Sequence, residues 1–347
     1  MTAYVPQHAE ELRETARAMV APGKGVVALD ESNATCTKRF EAVGAQSTAE
    51  TRRQYRQLLI TAPEAEKYIS GAILFDETIR QSTDDGKTLV KALQERGMIP
   101  GIKVDTGAKD MPGGRGEKMT EGLDGLRERL AEYYQMGARF AKWRAVITIG
   151  DGIPTIGCYK ANAHALARYA ALCQEAGIVP MIEPEVLIDG SHSIEHCREV
   201  TEQNLRIVFR ELAEQEVMLE GTVLKTSMVI SGLKAPQRAG VVEVADRTVE
   251  TLMRCVPPAL GGVVFLSGGQ GHVESSAHLN AMNQRWADRT PWNMTFSYAR
   301  ALQQPALDIW GPDNSKVAEA QKAFVFRAKM NSLASRGEYS EAHEKAA

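Results

Sequence analysis

Short apolar runs, four of them ending in a charged residue, recur along the chain and alternate with longer amphipathic stretches. The runs are 25-GVVALD-30, 71-GAILFD-76, 100-PGIKVD-105, 138-ARFAKWRAVI-147, 178-IVPMIEPEV-186, 221-GTVLKTSMVI-230, 261-GGVVFLSGG-269 and 294-MTFSYAR-300. Their length and β-branched content predict buried strands. Helical periodicity covers about 49–68, 85–96, 122–136, 160–176, 193–216, 241–256, 272–288 and 315–334. Residues from about 8 to 20 predict a helical extension that stops before Pro22-Gly23, and about 336–347 a polar tail. The stretch ESNATCTKRFEAVG predicts a polar loop with a short helix, and 107-GAKDMPGGRGEK-118 a glycine-rich loop.

Eight strand-helix units in one unbroken alternation predict an α/β fold, a closed (β/α)8 TIM barrel. No Pro- or Ser-rich linker divides residues 1–347, so a single domain is expected. An open doubly wound sheet predicts a glycine-rich phosphate turn after an early strand, and 28-ALDESN-33 is not one. The GGRGEK and GGQG clusters lack Walker-loop spacing and read as turns.

Composition narrows the partners. The 347 residues are 44% hydrophobic and 24% charged, and the formal net charge of -3 comes from interspersed signs. With no basic block, neither nucleic acid nor an anionic membrane is expected as a partner. No apolar stretch approaches the roughly 18 residues of a membrane span, and MTAYVPQHAEELRETARAMV is too charged for a signal peptide, so a cytoplasmic protein is expected. The five cysteines (Cys36, Cys158, Cys173, Cys197 and Cys255) include no C-x-x-C pair and read as free thiols. His192 and His196, with Cys197 beside them, have a spacing that could hold a metal, but no further ligand pattern accompanies them, and a structural or solvated role is expected.

The strand ends carry residues that a core excludes. Strand side chains alternate, so Lys103 and Asp105 share a face, as do Lys142 and Arg144, and Glu183 and Glu185. With Asp30 and Lys225, acids and bases from five strands point toward one mouth, the end at which barrels of this kind carry their active sites. Paired acids and amines in a closed cleft drive pKa values apart. Lys225 lies within an apolar, β-branched run where desolvation makes the neutral amine accessible; a neutral amine attacks a carbonyl to form a Schiff base. Lys142 would favour that neutral form by like-charge repulsion, Glu183 could shuttle protons, and Asp30 could take a proton from a substrate hydroxyl. The 267-SGGQG-271 turn and Arg300 offer phosphate donors at the last two loops. Lys103, Arg144 and the Ser32/Thr35/Arg39 loop could hold a second anion. Two phosphate sites flanking one amine imply a bisphosphate substrate.

The residues resemble the class I (Schiff-base) fructose-1,6-bisphosphate aldolases. The motifs are LDES (29–32), GIKVD (101–105), AKWR (141–144), EPE (183–185), LEGTVLK (219–225), FLSGGQ (265–270) and SYARAL (297–302), in family order over about residues 8–340. The resemblance implies that Lys225 is the Schiff-base lysine, Glu183 the proton shuttle with Glu185 beside it, and Asp30 the base for carbon–carbon cleavage. It implies Lys142 and Arg144 as active-site cations. Ser267, Gly268 and Arg300 would hold the 1-phosphate, and Ser32, Thr35, Arg39 and Lys103 the 6-phosphate. It further implies a homotetramer that needs no cofactor and no metal. Three departures stand out: Thr226-Ser227-Met228 where Pro-Asn-Met is usual, Ala299 where glycine is usual, and an end at 337-GEYSEAHEKAA-347 without the terminal tyrosine of animal and plant members. The competing readings are a transaldolase-like transferase, which handles one phosphate only, a catalytically silent sugar-phosphate scaffold, and a metal-dependent aldolase, for which the histidine ligands are missing.

Overall fold

A computed structural model describes residues 5–113 and 115–346. The first half runs α1 (Ala9–Met19), β1 (Gly25–Leu29), α2 (Asn33–Glu41), α3 (Ala49–Ile60), β2 (Ile69–Leu74), α4 (Asp76–Ile79), α5 (Leu89–Glu95), β3 (Ile99–Lys103), β4 (Gly107–Asp110), β5 (Lys118–Glu121), α6 (Leu126–Met136) and β6 (Phe140–Ile147). The second half runs α7 (Ile156–Glu175), β7 (Val179–Val186), α8 (Ile194–Glu214), β8 (Val223–Thr226), α9 (Val241–Cys255), β9 (Gly262–Phe265), α10 (His272–Trp286), β10 (Met294–Tyr298), α11 (Arg300–Trp310) and α12 (Val317–Ala334). Strands β1, β2, β3, β6, β7, β8, β9 and β10 pair in parallel in that order, and β10 pairs back with β1, closing the barrel.

Every barrel strand except β3 and β6 is buried along its whole length, as parallel strands covered by helices on one side and packed against each other on the other must be. The barrel interior divides into a floor and a mouth. At the floor, Leu12, Ala16 and Met19 of α1 pack with Val20 against the inward residues Val26, Phe140, Val179, Met181, Val223 and Val264. Phe140 fills the axis because its neighbour on β3 is Gly101: a Cβ there would lie 2.2 Å from the ring's Cζ. The N-terminal helical extension is therefore the plug that closes the barrel floor.

The expected helices are present with shifted ends, and five local expectations need correction. The helix expected over about 49–68 stops at Ile60, with a separate 3-10 turn at Ala65–Lys67, because Pro63 bars the helical conformation at the residue before it. The helix expected from about 85 begins only at Leu89, where Thr88 caps it by accepting from Lys91 N at 3.1 Å. The 107–118 loop opens the antiparallel hairpin β4–β5, which runs on to Glu121; half of its strand residues are exposed and only Thr120 is buried, so no apolar alternation marks it, and Gly114 lies outside the described residues. Helix α11 was hidden by Pro305 in its second turn.

The run that continues past Lys225 also has a different form. Residues 227–231 leave the sheet but stay buried, tied down where Val186 N donates to Ser227 Oγ (3.2 Å) and Val229 N to Thr248 Oγ1 (2.9 Å). The polar tail ends in a short 3-10 turn, Glu341–Ala346. Glu344 there accepts from Arg327 at 2.6 and 2.7 Å and from the Tyr339 hydroxyl at 2.9 Å.

Candidate active site

At the C-terminal ends of the strands opens a cavity of about 840 Å³. Its wall includes Asp30, Ser32, Thr35, Lys103, Asp105, Lys142, Arg144, Glu183, Glu185, Lys225, Ser267, Gly268 and Arg300. Closure of the sheet brings together residues that lie up to 270 positions apart, since Asp30 follows β1 and Arg300 follows the adjacent β10. Of the residues to which the resemblance assigns a role, Arg39 alone is absent from the wall: its Nη1 is bonded to Glu31 and, at 3.3 Å, to Gln303 Oε1.

The centre is an alternating chain of acids and amines. Lys225 Nζ lies 3.2 Å from Glu183 Oε1, Lys142 Nζ lies 2.9 Å from Glu183 Oε2, and Lys142 Nζ lies 2.7 Å from Asp30 Oδ2. All four side chains are nearly inaccessible to solvent. Burial alone would neutralise such groups, but their mutual charges prevail. Burial pushes the Asp30 carboxyl up, and Lys142 and Lys225 together outweigh it and hold the pKa at about 2. For Glu183 the same burial is outweighed by Lys142, Lys225 and Arg144, which lower its pKa. Burial works against the Lys142 charge, and Asp30 and Glu183 more than offset it, so Lys142 stays an ammonium. Its charge therefore reaches Lys225 offset by two carboxylates, which weakens the like-charge repulsion expected from sequence.

Around this centre lie two more pairs. Lys103 Nζ meets Asp105 Oδ1 at 2.6 Å, and Asp105 Oδ2 accepts from Arg144 N at 3.1 Å. Arg144 Nε meets Glu185 Oε2 at 2.6 Å, and the Arg144 side chain is 43% exposed, available to an anion in the mouth. On one side of the mouth, Gly268 and Gly269 turn with φ of 55° and 97°, a conformation that suits glycine, two residues ahead of α10. Arg300 starts α11, and a Cβ on Gly269 would lie 3.6 Å from its Nη2. Ala299 has φ -101°, so its Cβ is accommodated without left-handed strain where glycine is usual. On the other side, Ser32 caps α2, its Oγ accepting from Thr35 N at 3.4 Å.

The sequence pattern assigns no role to Glu31, Arg56, Gln303 or Ser297. Glu31 stands inside the LDES motif and lines the cavity, while Ser297 shares its wall with a buried Oγ that lacks a hydrogen-bond partner. Arg56 and Gln303 are helix residues whose buried polar heads carry no signal in periodicity. Among the described residues no group of three or more His, Cys, Asp or Glu is placed to hold a metal ion, and no helix is long and apolar enough to cross a membrane.

Comparison with known proteins adds to this geometry. The family profile described as "Fructose-bisphosphate aldolase class-I" matches residues 11–347. A probable fructose-bisphosphate aldolase class 1 of Xanthomonas campestris is 59% identical over 331 residues, covering 95% of this chain and 98% of that protein. Chloroplastic fructose-bisphosphate aldolase 1 of Chlamydomonas reinhardtii is 50% identical over 330 residues, covering 95% and 86%. Among solved structures, fructose-bisphosphate aldolase of Plasmodium falciparum, crystallised with TRAP and a small-molecule inhibitor, superposes with a TM-score of 0.96 at 47% identity, covering 98% of this chain and 99% of that one.

Proposed function

The chain belongs to the class I fructose-bisphosphate aldolases, lyases that cleave fructose 1,6-bisphosphate reversibly through a lysine Schiff base, and we propose that in this chain Lys225 is the nucleophile, served by Glu183 and Asp30. The observation that carries the assignment is the 3.2 Å approach of the buried Lys225 amine to Glu183 inside the mouth cavity.

Glu183, ionised in the free enzyme, takes the proton that Lys225 must lose before it attacks the C2 carbonyl. The same carboxyl then returns a proton to the carbinolamine oxygen, which leaves as water and yields the iminium. With the iminium as electron sink, Asp30 removes the proton of the C4 hydroxyl and the C3–C4 bond breaks. In the free enzyme the Asp30 pKa of about 2 makes it a weak base. Substrate that draws Lys142 toward its own hydroxyls loosens the Asp30–Lys142 contact and raises Asp30 basicity at the moment of cleavage. Glu185 holds Arg144 across the mouth. Ser267, Gly268 and Arg300 bind the 1-phosphate, and Ser32, Thr35, Lys103 and Arg39 the 6-phosphate, so the substrate spans the cavity with C2 over Lys225. The whole chain acts as one barrel unit and works in the cytoplasm as a homotetramer; exposed Val241, Val242 and Met253 on α9 support an interface.

Borohydride reduction in the presence of dihydroxyacetone phosphate, followed by peptide mapping, tests the assignment. A stable adduct on Lys225 is expected. An adduct on Lys142 or Lys103 would reassign the nucleophile, and no adduct on folded, ligand-binding protein would remove the Schiff-base role of all three.

A further inference from the structure

Beneath the Ser32 side of the mouth lies a polar cluster of which the chemistry above uses only Arg39. Gln303, in α11 one turn after Arg300, is fully buried and makes four contacts. Its Nε2 donates to Ala28 O on β1 and to Glu31 Oε1 at 2.9 Å, and its Oε1 accepts from the Tyr55 hydroxyl at 3.2 Å and from Arg39 Nη1 at 3.3 Å. Glu31 also pairs with Arg39 and, through Oε2, with Arg56 Nη2 at 2.7 Å. The Nε2 of Gln303 thus joins the helix that begins at Arg300 to the strand end that carries Asp30, and its Oε1 joins that helix to Arg39 of α2 and Tyr55 of α3.

The consequence shows on Arg39. Only its Nη1 is anchored; Nε and Nη2 are buried and have no hydrogen-bond partner. Those two nitrogens form the side-on fork with which a guanidinium grips a phosphate or carboxylate bidentately. Leaving such donors buried and unpaired costs free energy, which is recovered when an anion meets them. Arg39 lies four residues after Thr35 on α2, so both face the same side of that helix, and Thr35 already lines the cavity.

We propose that Gln303 is a positioning residue for substrate binding: with Glu31 it clamps Nη1 of Arg39 so that the free fork is presented to the phosphate remote from the reacting carbonyl once α2 shifts toward the mouth. Gln303 touches no substrate and acts through Arg39. The inference rests on the assignment of the 6-phosphate to the Ser32/Thr35/Arg39 side.

The test compares the KM for fructose 1,6-bisphosphate with that for fructose 1-phosphate, which lacks the remote phosphate, in Arg39→Met, Gln303→Met and the double variant. Gln303→Glu serves as a second substitution that keeps size and polarity. It retains acceptors for Tyr55 and Arg39 but turns a carboxylate toward Glu31. Arg39→Met is expected to raise the bisphosphate-to-monophosphate KM ratio by about tenfold or more. Each Gln303 variant is expected to raise that ratio several-fold with kcat on the bisphosphate changed less than KM. In the double variant the Gln303 change should add nothing to the Arg39 effect. If both KM values rise together, or if Gln303→Met adds its full effect in the Arg39→Met background, Gln303 acts on the fold and the positioning role is wrong. If Arg39→Met leaves the ratio unmoved, the 6-phosphate assignment itself fails and the inference with it.

Discussion

The floor and the mouth of the barrel are built on the same inward-facing positions of the same strands, yet they follow opposite rules. Phe140 and Lys142 are two residues apart on β6, both inward and both buried; Met181 and Glu183 repeat the arrangement on β7, and Val223 and Lys225 on β8. At the floor the side chains are apolar and a helix seals them from water. Two residues farther along, the inward positions are charged, each ion facing an opposite one within about 3 Å. The floor stabilises by excluding water; the mouth holds ions that gain nothing over an apolar core and are retained because reaction needs them. Stability and chemistry are separated along the barrel axis by one step of strand alternation.

Substitutions on either side of that boundary should therefore fail in different ways. The largest effect is expected from Lys225→Ala, a loss of at least about 10⁴-fold in kcat with little change in thermal unfolding, read by steady-state kinetics beside a melting curve. Retained turnover would remove Lys225 from the chemistry. Phe140→Ala is the converse: a destabilisation of about 3–5 kcal/mol in denaturant titration, because the ring fills the space left by Gly101. A loss below about 1 kcal/mol would show that the floor is not tightly packed.

Acid should weaken the mouth in a defined window. The folded Asp30 pKa, about 2, lies below its ordinary value of 3.8. Its contribution is therefore complete above about pH 4 and disappears as pH falls from about 4 to 2, an amount of about 2 kcal/mol. Stability measured against pH should fall less steeply through that window in Asp30→Asn than in the parent; identical slopes would mean that Asp30 is not held ionised by its neighbours. The smallest effect belongs to an ion pair in the open. Arg210 and Glu214 on α8 meet at 2.8 Å but are 80% and 51% exposed. Arg210→Ala should shift stability by no more than about 0.5 kcal/mol, and a larger loss would contradict the distinction between solvated and desolvated pairs.

The legible part of the site was the part that breaks a pattern. Lys225 inside an apolar run, Glu183 and Glu185 at the end of another, and Lys142 between Ala141 and Trp143 conflict with burial, and the conflict is visible without coordinates. Gln303 and Arg56 break nothing: on a helix, a polar residue is ordinary until the helix is seen to turn it inward. Helix α11 itself is obscured by Pro305, and hairpin β4–β5 by its short strands of mixed residues, of which only Thr120 is buried.

The sequence alone determined the alternation of strands and helices, because hydrophobic periodicity follows from which face each element buries. It also determined the charged strand ends and the family to which they belong. The tertiary structure alone decided which charges meet. Lys142 could have repelled Lys225 across an open cleft; closure of β6 against β7 and β8 places Glu183 between them instead. It likewise decided that Arg39 leans on Glu31 and Gln303 rather than lining the cavity. Contacts between residues more than 260 positions apart depend on barrel closure, and neither periodicity nor local propensity carries information at that range.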